Sequence, residues 1–397
     1  MLAPTRQAPA PPRRPILPPY GPSGDEPSTA HRVRRVLLIT ALILALPSLV
    51  SYAGMLTQAS NASLSIRTVE WVRDNGARGI VNKVENFWYT TFQAPSTGGP
   101  ALHALPHQAG VNSGASGSAR VPVHYYTPPD IQPVIHPALT GEGAWHATFA
   151  DGGSRPPVLV TQYRPEALYP QNIAGVAWID HTRTSTWLYP GRLEPALTLP
   201  SRGPEELPAA LRGKLVAAFN SGFKLVDSGG GFASGGHTYA PLKNGLATIV
   251  RYRDGRIDIQ AWTSGSQAPA NVLYARQNLP LIVSGGRPNP NLSDGPVWGA
   301  TLGNAVRVWR SGLGIDRHGN LIYAAANSMT VGSLADVLRR AGAVRAMELD
   351  INTYWTSFIS YRHPGARGAA NLLSSMDRSS QRYLTPEDRD FFGVYVR

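Results

Sequence analysis

The sequence predicts an α+β fold: a mixed or antiparallel sheet domain with few helices, preceded by a single N-terminal transmembrane helix. Three observations predict it. Short runs of alternating or β-branched apolar residues recur between turn signals over the last two thirds of the chain, whereas only one short stretch there has helical spacing and clean ends. Gly at 40 and Pro at 35 of 397 residues favour turns over long helices, and 42% apolar content is enough for a sizeable core. One long uncharged apolar run lies near the N-terminus.

Residues 1–31 are rich in proline, with Pro11-Pro12 and Pro18-Pro19, and lack core-forming side chains; they read as a disordered tail. Residues 32–57 form the anchor. Arg32, Arg34 and Arg35 precede Val36–Leu56, which carries no charge and would make about 31 Å of helix, enough to cross a bilayer core. Pro47 is tolerated in such a helix. The next charge is Arg67, so the positive-inside rule places the N-terminus in the cytoplasm and the main domain outside it, at the cell membrane. A cleaved signal peptide, with small residues at Ala53 or Ala59, is the alternative, and it exports the remainder equally.

Residues 58–93 read as a juxtamembrane amphipathic helix, weakened at Gly76 and Gly79, that serves as a stalk or packs on the main domain. Residues 94–130 turn to Gly, Ser, Pro and Ala, the composition of a flexible linker. The globular domain then spans 131–397. Its expected strands are Val158–Tyr163, Gly175–Asp180, Thr186–Tyr189, Leu215–Phe219, Ala247–Tyr252, Ile257–Trp262, Leu281–Val283, Val306–Trp309, Ile315 and Leu321–Ala325. Asp254-Gly255 and Asp316–Asn320 mark two hairpins. Ser333 caps the one clear helix, Leu334–Ala341, which Gly342 ends.

Composition also narrows function. With no cysteine there is no disulfide framework, thiolate metal site or cysteine nucleophile. The net charge of +12 comes almost wholly from scattered Arg, since Lys occurs only at 83, 214, 224 and 243. Scattered cations suit anionic envelope polymers or lipid, and they lack the clustering that nucleic-acid binding uses. No His-x-x-x-His or similar spacing supports a transition metal, and no cofactor is called for; a Ca²⁺ held by carboxylates and carbonyls stays open.

The sharpest local signal is Ala343–Asn352. Strand alternation would put Met347, Leu349 and Ile351 on one face and Glu348, Asp350 and Asn352 on the other. Two acids two residues apart repel, so that face is either solvated or held near a cation, a phosphate-bearing substrate or a proton donor. Three further stretches accompany it: Asn220-Ser221-Gly222-Phe223 at a strand end, Arg310-Ser311-Gly312-Leu313-Gly314, and Gly141–Trp145. The run Gly229–Gly236 is no P-loop, because no Lys-Ser/Thr closes it; it reads as a loop over a site or a plain surface loop, with His237 at its end as a proton donor or ligand.

In order and spacing these elements resemble the phosphodiester glycosidase family, over roughly residues 141–362. The resemblance implies a hydrolase that releases a sugar from a sugar-1-phosphodiester, in a bacterial setting from envelope glycopolymer or exopolysaccharide. It carries over Asn220 and Gly222 in the first motif, Arg310 in the second and Asp350 at the start of the third. In this reading Asp350 and Glu348 are catalytic. Arg310, as a phosphate clamp, binds substrate with Asn220, Gly222, His237 and Asn352. Where the family has glycines after the aspartate, this chain has Ile351-Asn352-Thr353, which motivates a second reading: a degenerate domain that binds envelope polysaccharide or acts as a biogenesis scaffold.

Overall fold

The computed structural model describes residues 29–81, 83–84, 97–98, 102–106, 126–148, 157–196, 202–293, 295–299, 307–362 and 365–397. The Pro-rich tail and most of the expected linker lie outside them. Two compact units result, 1–57 and 58–397. The first contains helix α1, Thr29–Thr57, whose apolar side chains are exposed along its length and which is long and apolar enough to cross a membrane. A signal sequence near the N-terminus would meet the same criteria of length and composition.

The second unit is built on three sheets, and every pairing among the described residues is antiparallel. The largest runs in the order His146–Ala147, Val158–Tyr163, Ala174–Ile179, Leu321–Met329, Val308–Ile315, Arg345–Glu348, Val283–Ser284, Arg287–Pro288. A second is His237–Ala240, Phe232–Ser234, Val272–Gln277, Ala247–Tyr252, Ile257–Ala261. The third is Ala370–Asn371, Phe358–Ser360, Leu215–Asn220, Phe391–Val396, Thr184–Tyr189.

Period-two alternation sorts the central sheet into two apolar faces. Ala177, Ile179, Leu313, Tyr323 and Met347 join Phe219, Phe358, Phe392, Ile249 and Tyr274 of the other two sheets in one core. Val176, Trp178, Ile322, Ala324 and Ala326 meet Leu334, Val337 and Leu338 of a helix on the opposite face. Both faces are therefore buried, which is why these strands read as continuous apolar runs.

That helix, α3, is Val331–Arg340; α2, Leu64–Val72, precedes it in the chain. Its cap is Thr330, whose hydroxyl accepts from Ser333 N–H at 2.9 Å, and not Ser333 as the sequence suggests. The preceding strand runs on to Met329, so the first extended hydroxyl residue falls three positions earlier. Val308 and Trp309 of one expected strand and Ile315 of another belong to a single strand, Val308–Ile315, that contains the glycine motif; Val306 lies outside the described residues. A Cβ on Gly314 would stand 2.6 Å from the Ala343 Cβ, and one on Gly312 would stand 2.9 Å from Leu338 Cδ1. These glycines are close-approach positions inside a central strand, not turn residues. Gly314→Val is accordingly expected to destabilise the fold by about 1–3 kcal/mol through overpacking, read from urea unfolding; a change within error would show that Ala343 yields freely.

The expected hairpin at Asp254-Gly255 is present, with Gly255 at φ +92° and Tyr252 N–H donating to Arg256 O at 2.8 Å. The glycine run is not a free loop. Gly231 passes so close to Pro241 O that a Cβ would stand 2.5 Å away, and Phe232–Ser234 is a strand. The second compact unit begins at Gln58. Among the described residues of the 58–93 segment, α2 covers Leu64–Val72 and runs into a π-turn at Arg73–Ala77, which kinks at Asn75 and Gly76 (φ +96°). Ahead of it, Asn61 Nδ2 donates to Arg382 O at 2.6 Å and Ser60 Oγ to Asp388 Oδ2 at 2.8 Å, so the segment is laced to the C-terminal part of the chain.

Candidate functional site

The strand of the sharpest motif is shorter than its alternation suggests. It pairs as Arg345–Glu348 and then leaves the sheet: Leu349 N–H donates to Ser311 O at 2.8 Å and Asp350 N–H to Ser221 O at 3.1 Å. That turn brings the Asn220, Arg310 and Asp350 motifs together. The two acids do not lie on a solvated face. Glu348 is 0% exposed and Asp350 5%, and the repulsion between them is met by giving each its own guanidinium.

Glu348 pairs with Arg310 through a close Oε1–Nη1 contact. Arg310 also donates from Nε to Met329 O at 3.0 Å and from Nη1 to Trp298 O at 3.1 Å. It is buried and engaged as a counter-ion, and so is not the open phosphate clamp its motif suggests. Burial raises the Glu348 pKa to about 7 against the opposing charge of Arg310, so the group changes protonation near neutrality. Its second oxygen, with Asn278 Oδ1 and Ser221 Oγ, is buried without a hydrogen-bond partner among the described residues. Asn278 Nδ2 donates to Glu348 O at 2.6 Å, and Gly222 is packed so tightly on Asn278 that a Cβ would stand 3.0 Å from its Cγ. Gly222 therefore admits Asn278 beside the acid.

Asp350 Oδ1 accepts from Asn352 N–H at 2.9 Å and Oδ2 from Arg389 Nη2 at 3.1 Å. Burial raises its pKa, opposed mainly by Arg389. Asn352 forms an Asx turn, its Oδ1 accepting from Tyr354 N–H at 2.9 Å, and holds Asp350 in place with its backbone. Ile351 turns away into a small cluster with Phe223 and Val308, which joins the last motif to the first.

Asn220 is a knot. Its Nδ2 donates to Ser221 O at 2.8 Å and Ser311 Oγ at 3.0 Å, and its Oδ1 accepts from Tyr323 Oη at 2.8 Å and Ser357 N–H at 2.9 Å. All four of its hydrogen-bonding positions are met by protein, so it positions the site and has no capacity left for substrate. His237 stands exposed on an edge strand, and no hydrogen bond or ion pair among the described residues joins it to Asp350 or Glu348; its ring lies 6.0 Å from that of Tyr239.

Sequence reasoning missed the cations and acids that complete the site. Arg389 is joined by Arg276, which chelates Asp390 at 2.7 and 3.2 Å and donates to Phe223 O at 2.6 Å. Buried Glu194 accepts from Leu225 N–H at 3.0 Å, and burial raises its pKa against Arg389 and Arg276. Arg382 and Arg378 hold Glu387 at 2.7 and 3.2 Å. The run Glu387-Asp388-Arg389-Asp390 precedes a long apolar strand, and its four consecutive charges were the signal available.

Three antiparallel sheets that meet at buried, guanidinium-matched carboxylates define a carboxylate-centred α+β domain. Residues 206–350 match the family model of the phosphodiester glycosidases. Among solved structures, the chain is similar to the catalytic domain of zebrafish N-acetylglucosamine-1-phosphodiester α-N-acetylglucosaminidase, auto-inhibited by pro-peptide, at 14% identity over 64% of this chain and 87% of that one (TM-score 0.41). It is also similar to a hypothetical protein from Synechocystis at 15% identity, over 60% of this chain and 62% of that one (TM-score 0.36). No curated protein matches it.

Proposed function

We propose that this protein is an extracytoplasmic hydrolase that releases a sugar from a sugar-1-phosphodiester in cell-envelope glycopolymer or exopolysaccharide, held at the membrane by residues 36–56 of α1. The observation that carries the reading is the placement of Asp350 and Glu348, two buried carboxylates held by separate guanidinium groups where the matched motifs converge. In the reaction, Asp350 takes the proton of a water that attacks the anomeric carbon, and the sugar–oxygen bond breaks towards phosphate. The departing phosphomonoester has a second pKa of about 6, so it leaves as an anion and needs cations more than a proton donor. Glu348, held near its protonation midpoint beside Arg310, tunes the field at Asp350. The Arg excess behind the net charge of +12 favours a polyanionic substrate over nucleic acid, since it is scattered.

The test is release of free sugar from synthetic sugar-1-phosphodiesters by the full chain in detergent micelles, across pH. The expected kcat/KM profile is bell-shaped. Asp350, raised above the ordinary aspartate value, sets an acid limb as its base form is lost; Glu348 sets an alkaline limb near 7 as it ionises. The apparent values belong to the pair. The replacement of the family's glycines by Ile351-Asn352-Thr353 favours the degenerate reading, and no release from any such substrate alongside measurable polymer binding would establish it.

A further inference from the structure

The mechanism needs cations at the leaving phosphate, and Arg310 is already engaged. We propose that Lys224 and Arg389 form the phosphate subsite, and that the carboxylate of Glu70 on α2 occupies it as a stand-in for the substrate's phosphodiester anion. The assignment rests on the hydrolase reading for its ligand and on geometry for its place.

Lys224 follows Phe223 of the first motif, and its Nζ lies 2.5 Å from Glu70 Oε2, with Asp74 at 3.1 Å on the other side. Arg389 reaches Asp350 at 3.1 Å and Gly222 O at 3.4 Å, so it stands between the base and that motif. Its Nε is buried and has no hydrogen-bond partner among the described residues, a donor left over for an anion. Lys224, Arg389 and Glu70 are 8%, 7% and 9% exposed, and water therefore screens them little. Burial works against the Glu70 anion, yet the charges of Lys224, Arg73 and Arg389 outweigh it and hold the pKa below the usual glutamate value. Glu70 in turn raises Asp350, which places its charge within reach of the base. An anion is thus favoured beside Asp350, where the leaving group must stand. The carboxylate there comes from a helix that kinks two turns later at Gly76, outside the motifs that build the site. Substrate phosphate and Glu70 would compete for one place.

The probes are inorganic phosphate and diethyl phosphate, which carries no sugar to release, titrated calorimetrically into the full chain in micelles. Glu70→Gln is expected to bind both anions at least about ten-fold more tightly than the unsubstituted chain, as removal of a competing charge would give. Lys224→Met in the Glu70→Gln background is expected to lose that gain, and Lys224→Arg to keep it. Thermal unfolding of each variant identifies any that fails to fold, and the Lys224→Arg arm then supplies the comparison. Equal anion affinity in the Glu70→Gln variant and the unsubstituted chain, or a gain indifferent to Lys224→Met, would overturn the subsite. Tight anion binding that obeys the Lys224 dependence, without sugar release, would leave the subsite standing and remove the hydrolase reading instead.

Discussion

Asp350→Asn is expected to lower kcat/KM for sugar release by about 10²–10⁴-fold, the range for loss of a general base. The folded structure should survive. The amide oxygen can still accept from Asn352 N–H, which lies 2.9 Å from Oδ1 in the parent, and the backbone bonds to Ser221 and Ser311 do not involve the side chain. Because burial raises the Asp350 pKa despite Arg389, ionised Asp350 costs stability at neutral pH. The sign follows: its contribution is full below the unfolded aspartate value and is lost as pH rises through the higher folded value. A neutral amide removes that loss, although it weakens the contact with Arg389. The unfolding midpoint at pH 7 should therefore hold or rise while activity collapses, the pattern of a group kept for function against stability. Activity within about three-fold of the parent, in a folded variant, would remove Asp350 from the chemistry.

The sequence shows the parts of this site that alternate or repeat, and hides those that depend on distant pairing. Antiparallel strands from Val158 to Met329 were legible because both faces of the central sheet are buried and leave apolar runs. The Asp350 element was legible because two acids share a pattern with Met347. Its surroundings were not. Arg389 and Asp350 lie 39 residues apart, and Arg276 meets Asp390 across 114; no local period connects them. Asn220 illustrates the converse. Its motif marked it as central, but only the structure reveals that Ser221, Ser311, Tyr323 and Ser357 use all its hydrogen bonds. Arg310 likewise stood out beside small residues, and those residues turn out to admit α3 and Ala343, not a phosphate. His237 was drawn in by the glycine run, whose tight packing serves the second sheet.

Arg310→Met is expected to be the most pH-sensitive destabilising substitution at the site. Removing one partner of a buried ion pair costs about 3–5 kcal/mol, because the other charge is left uncompensated. Here the size depends on whether Glu348 is charged. Its folded pKa of about 7 lies above the unfolded value of 4.5, so its contribution to stability is full below 4.5 and is lost as pH rises through about 7. Without Arg310 the folded value moves higher still, since the opposing charge is gone, and the loss with rising pH deepens. At pH 5 Glu348 is already protonated in the parent, and the substitution then deletes a buried cation that faces a neutral acid. Urea unfolding of the full chain should therefore give a smaller penalty at pH 5, that of the bonds lost to Met329 O and Trp298 O, and a larger one at pH 8, where the stranded charge adds to it. Adding Glu348→Gln to Arg310→Met should abolish the pH dependence and recover much of the stability at pH 8, because a neutral amide carries no charge to strand in the core. Equal penalties at both pH values would mean that Glu348 is ionised throughout. The alkaline limb of catalysis would then belong to another group, with the buried Glu194 next in line.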